Sequence, residues 1–184
     1  MMTQEKTEIN GATAADSINF ATLSDGLVVI KVVGRGNFQN SVELKRLAES
    51  MANRAGDFKT RFIMDMYECI SMDSTFMGVL ASMALRQLKD TGERLLVIRA
   101  NPQNVRLLET LGLAHFMTIR TSEASPAITD CQFKCTDPEN VGRVDRIIHM
   151  IEAHQNLCSA DSENNLRFES VLKYLKESLD REEP

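Results

Sequence analysis

The stretch RFIMDMYECISMDSTFMGVLASMALRQL, residues 61–88, decides the fold. Its first seven residues are rich in side chains that suit a buried strand, and from Phe76 onward apolar positions recur at helical spacing until Gly92 supplies a C-cap. Between the two patterns lies Met72-Asp73-Ser74-Thr75, an acid followed by two hydroxyls. A strand that feeds a helix through a short polar junction is the repeating unit of an α/β sheet.

A helix N-terminus leaves backbone N–H groups unpaired and carries partial positive charge, so Asp, Ser or Thr is expected there as a cap. Capping uses one of the three residues. The others are expected at the exposed end of the strand, the edge at which open α/β sheets meet ligands and partners. A phosphoryl group on Ser74 suits this position: the helix end tolerates the added charge, while a docked partner feels it as repulsion and desolvation.

At 100° per residue, Met77, Leu80, Ala81, Ala84 and Leu88 form the core stripe of this helix, and Phe76, Val79 and Met83 an adjoining strip. Two strips are more than packing on one sheet requires. The second is expected to be partly exposed and to contact a partner, with Arg86 on the same flank adding a polar contact; cover by the C-terminal helices is the alternative.

Outward from this unit the alternation continues. Residues 17–33 carry two β-rich runs broken by the turn Ser24-Asp25-Gly26, which makes a hairpin. The turn GRGNFQNS follows, then a helix in SVELKRLAESMANRAG with Gly56 at its C-cap. On the other side, RLLVIRA is a strand, NPQNVRLLETLGL a helix with Asn101 as N-cap and Pro102 at its first position, and HFMTIR a further strand. The expected architecture is α/β, a mixed sheet with crossover helices and an antiparallel leading hairpin over residues 17–120. Residues 1–16 are expected to be a frayed N-terminus, and residues 121–184 a helical extension.

In that extension Val141, Val144, Ile148 and Ile151 read as the buried stripe of one helix. Phe168, Leu172, Leu175 and Leu179 repeat at spacings of 4, 3 and 4 along a second. The second helix either docks on its own domain as a hairpin or serves as a partner helix for a homodimer.

The chain has 184 residues, 43% of them apolar, enough to bury a core, and a formal net charge of −5, which leaves no field for steering onto nucleic acid. No nucleic acid partner is expected. The first fifteen residues lack a signal-peptide profile and no run is long enough to span a bilayer, so a cytoplasmic protein without membrane insertion is expected. Cys69, Cys131, Cys135 and Cys158 are then expected as reduced thiols. Cys131, Cys135, His149 and His154 read as C-x3-C-x13-H-x4-H, within the loose range of a small zinc site. Yet CQFKC alternates as a strand would, which places Cys131, Phe133 and Cys135 on one core-facing side, and the two histidines lie about 140° apart around a helix. No metal is expected, and no cofactor either. Without a P-loop, a G-x-G-x-x-G or a G-x-S-x-G, and with no nucleophile beside the histidines in sequence, the chain is not expected to be an enzyme.

The strand ending in Asp65, the Met72-Asp73-Ser74-Thr75 segment, Gly78 inside the helix, LLVIRANPQNVRLLETLGL and the closing strand, in this order, resemble the core of a STAS domain, the fold shared by anti-sigma factor antagonists and sulfate transporter tails. The likeness covers roughly residues 17–120. It implies that Ser74 is the residue phosphorylated by an anti-sigma factor that is also a serine kinase, with Thr75 a secondary acceptor, and that a phosphatase resets the switch. Asp73, Phe76, Val79, Met83, Arg86 and Asn37 are the expected partner-binding residues. Two departures stand out: Phe76 replaces the family's usual glycine, and Asn37 stands where an acid is often found. The resemblance equally accommodates a STAS subunit that scaffolds a transporter or ATPase assembly with Ser74 never modified.

Overall fold

The computed structural model describes residues 16–23, 26–54, 59–121, 128, 131–138 and 140–182. The expected turn residues Ser24 and Asp25, the C-cap at Gly56 and the N-terminal tail lie outside them. Strands β1 (Ser17–Thr22) and β2 (Leu27–Gly36) form the leading antiparallel hairpin, with Thr22 opposite Val28. Then come α1 (Phe38–Arg54), β3 (Arg61–Asp65), β4 (Cys69–Met72), α2 (Ser74–Thr91), β5 (Leu95–Ile98), α3 (Pro102–Thr110), β6 (Met117–Arg120), β7 (Lys134–Cys135), α4 (Arg143–Ala160) and α5 (Asn164–Asp180). The sheet order is β6-β5-β3-β2-β1-β7, parallel from β2 through β6 and antiparallel at β1 and β7, and β4 pairs with the far end of β2. This is the mixed α/β sheet with crossover helices that the sequence leads one to expect.

Local chemistry explains the boundaries. Asn101 caps α3 by accepting from the Asn104 N–H at 2.8 Å, with Pro102 at the first helical position. Gly92 ends α2 in the left-handed region at φ 76°, its N–H donating to the Leu88 carbonyl. Strand β2 runs past Val33 to Gly36, and its last residues take β4 as a parallel neighbour through an irregular register at Gly34 and Arg35. The expected turn after Val33 is therefore shorter, and α1 starts at Phe38.

Alternation along the strands sends Val28, Ile30, Val32, Phe62, Met64, Leu95 and Val97 to the helix-covered face, where they pack with Leu44, Leu80 and Leu108. Val29, Ile63 and Ile98 face the other way and are covered by Leu23, Ile128 and Phe133. Phe133 thus packs as expected, but its neighbours do not: Cys131 is half-buried and Cys135 exposed, because β7 is only two residues long and lies at the sheet edge.

Helices α4 and α5 form a hairpin. On α4 the buried set is Ile147, His149, Ile151, Ala153, His154 and Leu157, whereas Val144 and Ile148 are exposed. The expected stripe is displaced because α4 packs on two neighbours at once. Ile147 and Ile151 meet Leu172, Leu175 and Leu179 of α5, and Leu157 joins the main core. The leucine repeat of α5 is therefore used within the chain. Among the described residues no helix is long and apolar enough to cross a membrane.

Candidate functional site

The polar junction between β4 and α2 holds two helices together. Asp73 is extended at φ −90° and ψ 170°, and its Oδ1 accepts the Phe76 N–H at 2.8 Å as the N-cap of α2. Its Oδ2 accepts the N–H of Phe38, the first residue of α1, also at 2.8 Å. Two positive helix ends thus share one carboxylate, which suits its charge. Asn37 completes the α1 terminus: its Oδ1 accepts from the Gln39 and Asn40 N–H groups at 2.9 and 3.3 Å, and its Nδ2 donates to Asp16.

With Asp73 as the cap, the Ser74 hydroxyl is left over. It lies 3.0 Å from Nε2 of His154, on α4. The other ring nitrogen, Nδ1, is 2.7 Å from the Met150 carbonyl oxygen, which can only accept. The network therefore assigns the proton to Nδ1 in the neutral ring, and Nε2 accepts from the Ser74 hydroxyl. Phe168 of α5 packs edge-on to the imidazole at 5.0 Å between centroids. Ser74 is half-buried in this arrangement, and His154 is buried.

A parallel contact ties α4 to α1. Ser41 Oγ donates to the Phe38 carbonyl at 2.6 Å and lies 2.8 Å from Nε2 of His149, so that this nitrogen donates to the serine. Burial holds the His149 pKa below its ordinary value; Lys45 acts in the same direction, and Glu152 and Asp73 oppose it. An ion pair between Lys45 and Glu152 adds a further link between α1 and α4. The two histidines, set on different sides of α4, thus reach serines on different helices. Among the described residues no group of three or more His, Cys, Asp or Glu side chains is placed to hold a metal ion.

Of the expected site residues, the structure brings together Asp73, Ser74 and Asn37. The expected exposure of Phe76, Val79 and Met83 is corrected: they are 0%, 4% and 5% exposed. Phe76 lies against Gly36 of β2, where a Cβ would meet its ring at 2.7 Å, so the bulky residue is accommodated inward by a glycine. Val79 and Met83 line a cleft of about 370 Å³ that also includes Ala48 of α1 and Ala153 of α4. Thr75, expected as a secondary acceptor, is buried. Arg86 is exposed and paired with Asp90 at 3.6 Å, one helical turn away. At the C-terminal end of β3, buried Asp65 pairs with Arg99, whose guanidinium lies 4.6 Å from the ring centre of Tyr67. Tyr67 and Ile70 are both exposed.

The sequence does not point to His149, His154 or Phe168 as companions of this junction. The available signal is two histidines interspersed among the apolar positions of an amphipathic helix, and it names no partner.

The family model of the STAS domain matches residues 21–125. The chain belongs to the STAS domain family. Its fold is similar to a putative anti-sigma factor antagonist from Thermotoga maritima, 17% identical over 61% of this chain and 92% of that one, with a TM-score of 0.49. It is likewise similar to the anti-sigma factor antagonist SpoIIAA in its unphosphorylated form, 14% identical over 62% and 96% of the two chains, TM-score 0.49. The phosphorylated form of SpoIIAA, a Bacillus cell fate determinant, is similar at 17% identity over 62% and 98%, TM-score 0.49. No curated protein matches the chain by sequence.

Proposed function

We propose that this chain is a partner-switching regulator of the anti-sigma factor antagonist type, controlled by phosphorylation of Ser74. The observation that carries the reading is the division of labour at the junction. Asp73 supplies the caps of both α1 and α2, so the adjacent Ser74 hydroxyl has no capping role and can be modified without dismantling either helix. A phosphate there is favoured by the nearby helix ends and disfavours a partner that buries the same surface. That surface comprises Asn37, Asp73 and Ser74, extended by exposed Tyr67 and Ile70, whereas Arg86 lies about 18 Å further along α2, toward its other end. Unphosphorylated, the protein holds an anti-sigma factor that is also its serine kinase; phosphorylated, it releases that partner until a phosphatase restores the hydroxyl.

Intact mass and phosphopeptide mapping of the protein isolated from its own cells, growing and stressed, test this. One phosphoryl increment on Ser74 that changes with condition is the expected result. An unmodified serine under every condition, with a stably co-purifying ATPase, favours instead a static STAS subunit in a larger assembly.

A further inference from the structure

Helices α4 and α5 lie outside the residues matched to the STAS family, yet α4 packs along α2 at the end where Ser74 sits. The cover is close. A Cβ on Gly78 would meet the Ala153 carbonyl oxygen at 2.2 Å, so the two backbones touch where that side chain is missing. One step along α4, His154 takes the Ser74 hydrogen bond, and Phe168 of α5 backs the ring. His149 and Glu152 fix the same helix to α1. The tip of the hairpin is held separately by buried Asn164, whose Nδ2 donates to the carbonyls of Leu111 and Leu157 at 3.0 and 2.8 Å.

We infer that the α4–α5 hairpin is a gate on Ser74: closed, it withholds the hydroxyl from phosphorylation, and modification requires α4 to lift from α2. The inference rests on the reading of Ser74 as a phosphoacceptor. Phosphoryl transfer from a nucleoside triphosphate forms the bond from Oγ to the terminal phosphorus, breaks that phosphorus from its bridging oxygen and releases the nucleoside diphosphate. The Oγ proton leaves to a base of the modifying enzyme. In the closed state the hydroxyl is donated inward to a buried imidazole, and His154 occupies that side of Oγ, backed by Phe168.

A phosphoryl group adds three oxygens and up to about two negative charges next to the Asp73 carboxylate. The N-termini of α1 and α2 can receive that charge, so the sheet and its helices persist. With His154 Nε2 3.0 Å from Oγ and α4 packed on α2 one turn on at Gly78, the added group has to push the ring and its helix aside. A modifying enzyme then acts only on the open fraction, and its apparent access to Ser74 falls by that fraction. By linkage, phosphate favours the open hairpin by the same factor that closure disfavours phosphate.

The test compares the full chain carrying phosphoserine encoded at position 74 with the unmodified chain by hydrogen exchange read by mass spectrometry. The expected result is exchange at least about tenfold faster in peptides over residues 143–160, with β2, β3 and β5 unchanged. Equal or greater protection of α4 in the phosphorylated chain overturns the gate and makes His154 a clamp for the phosphate. Should phosphoserine also strip protection from the sheet, Ser74→Glu takes its place: faster exchange of α4 alone then supports the gate, and equal or greater protection of α4 overturns it. The failure of the gate is distinct from that of the switching reading, which falls if Ser74 of the natively isolated protein is never phosphorylated.

Discussion

Asp73 accepts the backbone N–H of Phe38, 35 positions earlier in the chain, at 2.8 Å while the same carboxylate caps its own helix at Phe76. One side chain therefore sets the start of α2 and fixes where α1 begins relative to it. Asp73→Ala removes both caps and is expected to destabilise the protein by about 2 kcal/mol, at roughly 1 kcal/mol per cap. Asp73→Asn keeps one acceptor oxygen and is expected to lose about half as much. Urea unfolding of the three proteins checks the order; equal stability of wild type and Asp73→Ala contradicts a shared cap.

Gly78 packs α2 directly on α4, and the atoms it faces are backbone: the Ala153 carbonyl oxygen and carbon at 2.2 and 2.5 Å from an added Cβ. Side-chain rotation cannot relieve that overlap, so α4 itself must shift. Gly78→Ala is expected to cost about 1–3 kcal/mol despite the better helix propensity of alanine. Exchange of α4 amides should accelerate while the sheet stays protected. An alanine variant as stable as wild type, with α4 protection intact, would show that the backbones are not in contact.

Much of this architecture is legible because it is local. The strand that starts at Arg61, the Asn101-Pro102 start of α3, the Gly92 stop of α2 and a polar cap within residues 73–75 each follow from residues within a few positions of one another; that the cap is Asp73 is seen only in the structure. What stays hidden depends on distant chain. The second acceptor of Asp73 reaches α1, Ser74 meets His154 across 80 positions, and the room for Phe76 is made by Gly36 on another strand. The strip of Phe76, Val79 and Met83 has a composition equally fitting for a partner or for an internal neighbour, and helix periodicity does not distinguish them. For α4, a single-stripe reading selects Val144 and Ile148, whereas simultaneous packing on α2 and α5 buries Ile147, Ala153 and His154 instead.

The pair of Asp65 and Arg99 is expected to be the costliest to break from one side. Asp65 is fully buried, Arg99 Nε donates to it at 3.1 Å with a second bond from the other end of the fork, and Arg99 holds φ at 57°, uncommon for a residue with a side chain. Arg99→Ala leaves a buried carboxylate without its cation, for an expected loss of about 3–5 kcal/mol. Adding Asp65→Asn to that variant should recover part of the loss, since the uncompensated charge is gone. A double-mutant cycle in urea measures the coupling, and additive losses would mean the two groups do not interact.

His149 links the hairpin to pH. Its folded pKa is lowered chiefly by burial, with Lys45 of α1 acting alike, and Glu152 of its own helix and Asp73 at the α2 terminus opposing. In the unfolded chain it titrates near the ordinary value of about 6.5. Above that value both states hold the ring neutral and the buried histidine carries no protonation penalty. As the pH falls from about 6.5 toward the lowered folded value, the unfolded chain binds the proton first, so stability is progressively lost across that interval. His149→Gln can still donate to Ser41 Oγ but does not titrate. Unfolding free energies at pH 7.5 and 5.5 are therefore expected to fall more steeply for wild type than for the glutamine variant. Parallel slopes would mean that His149 titrates alike in the folded and unfolded chain.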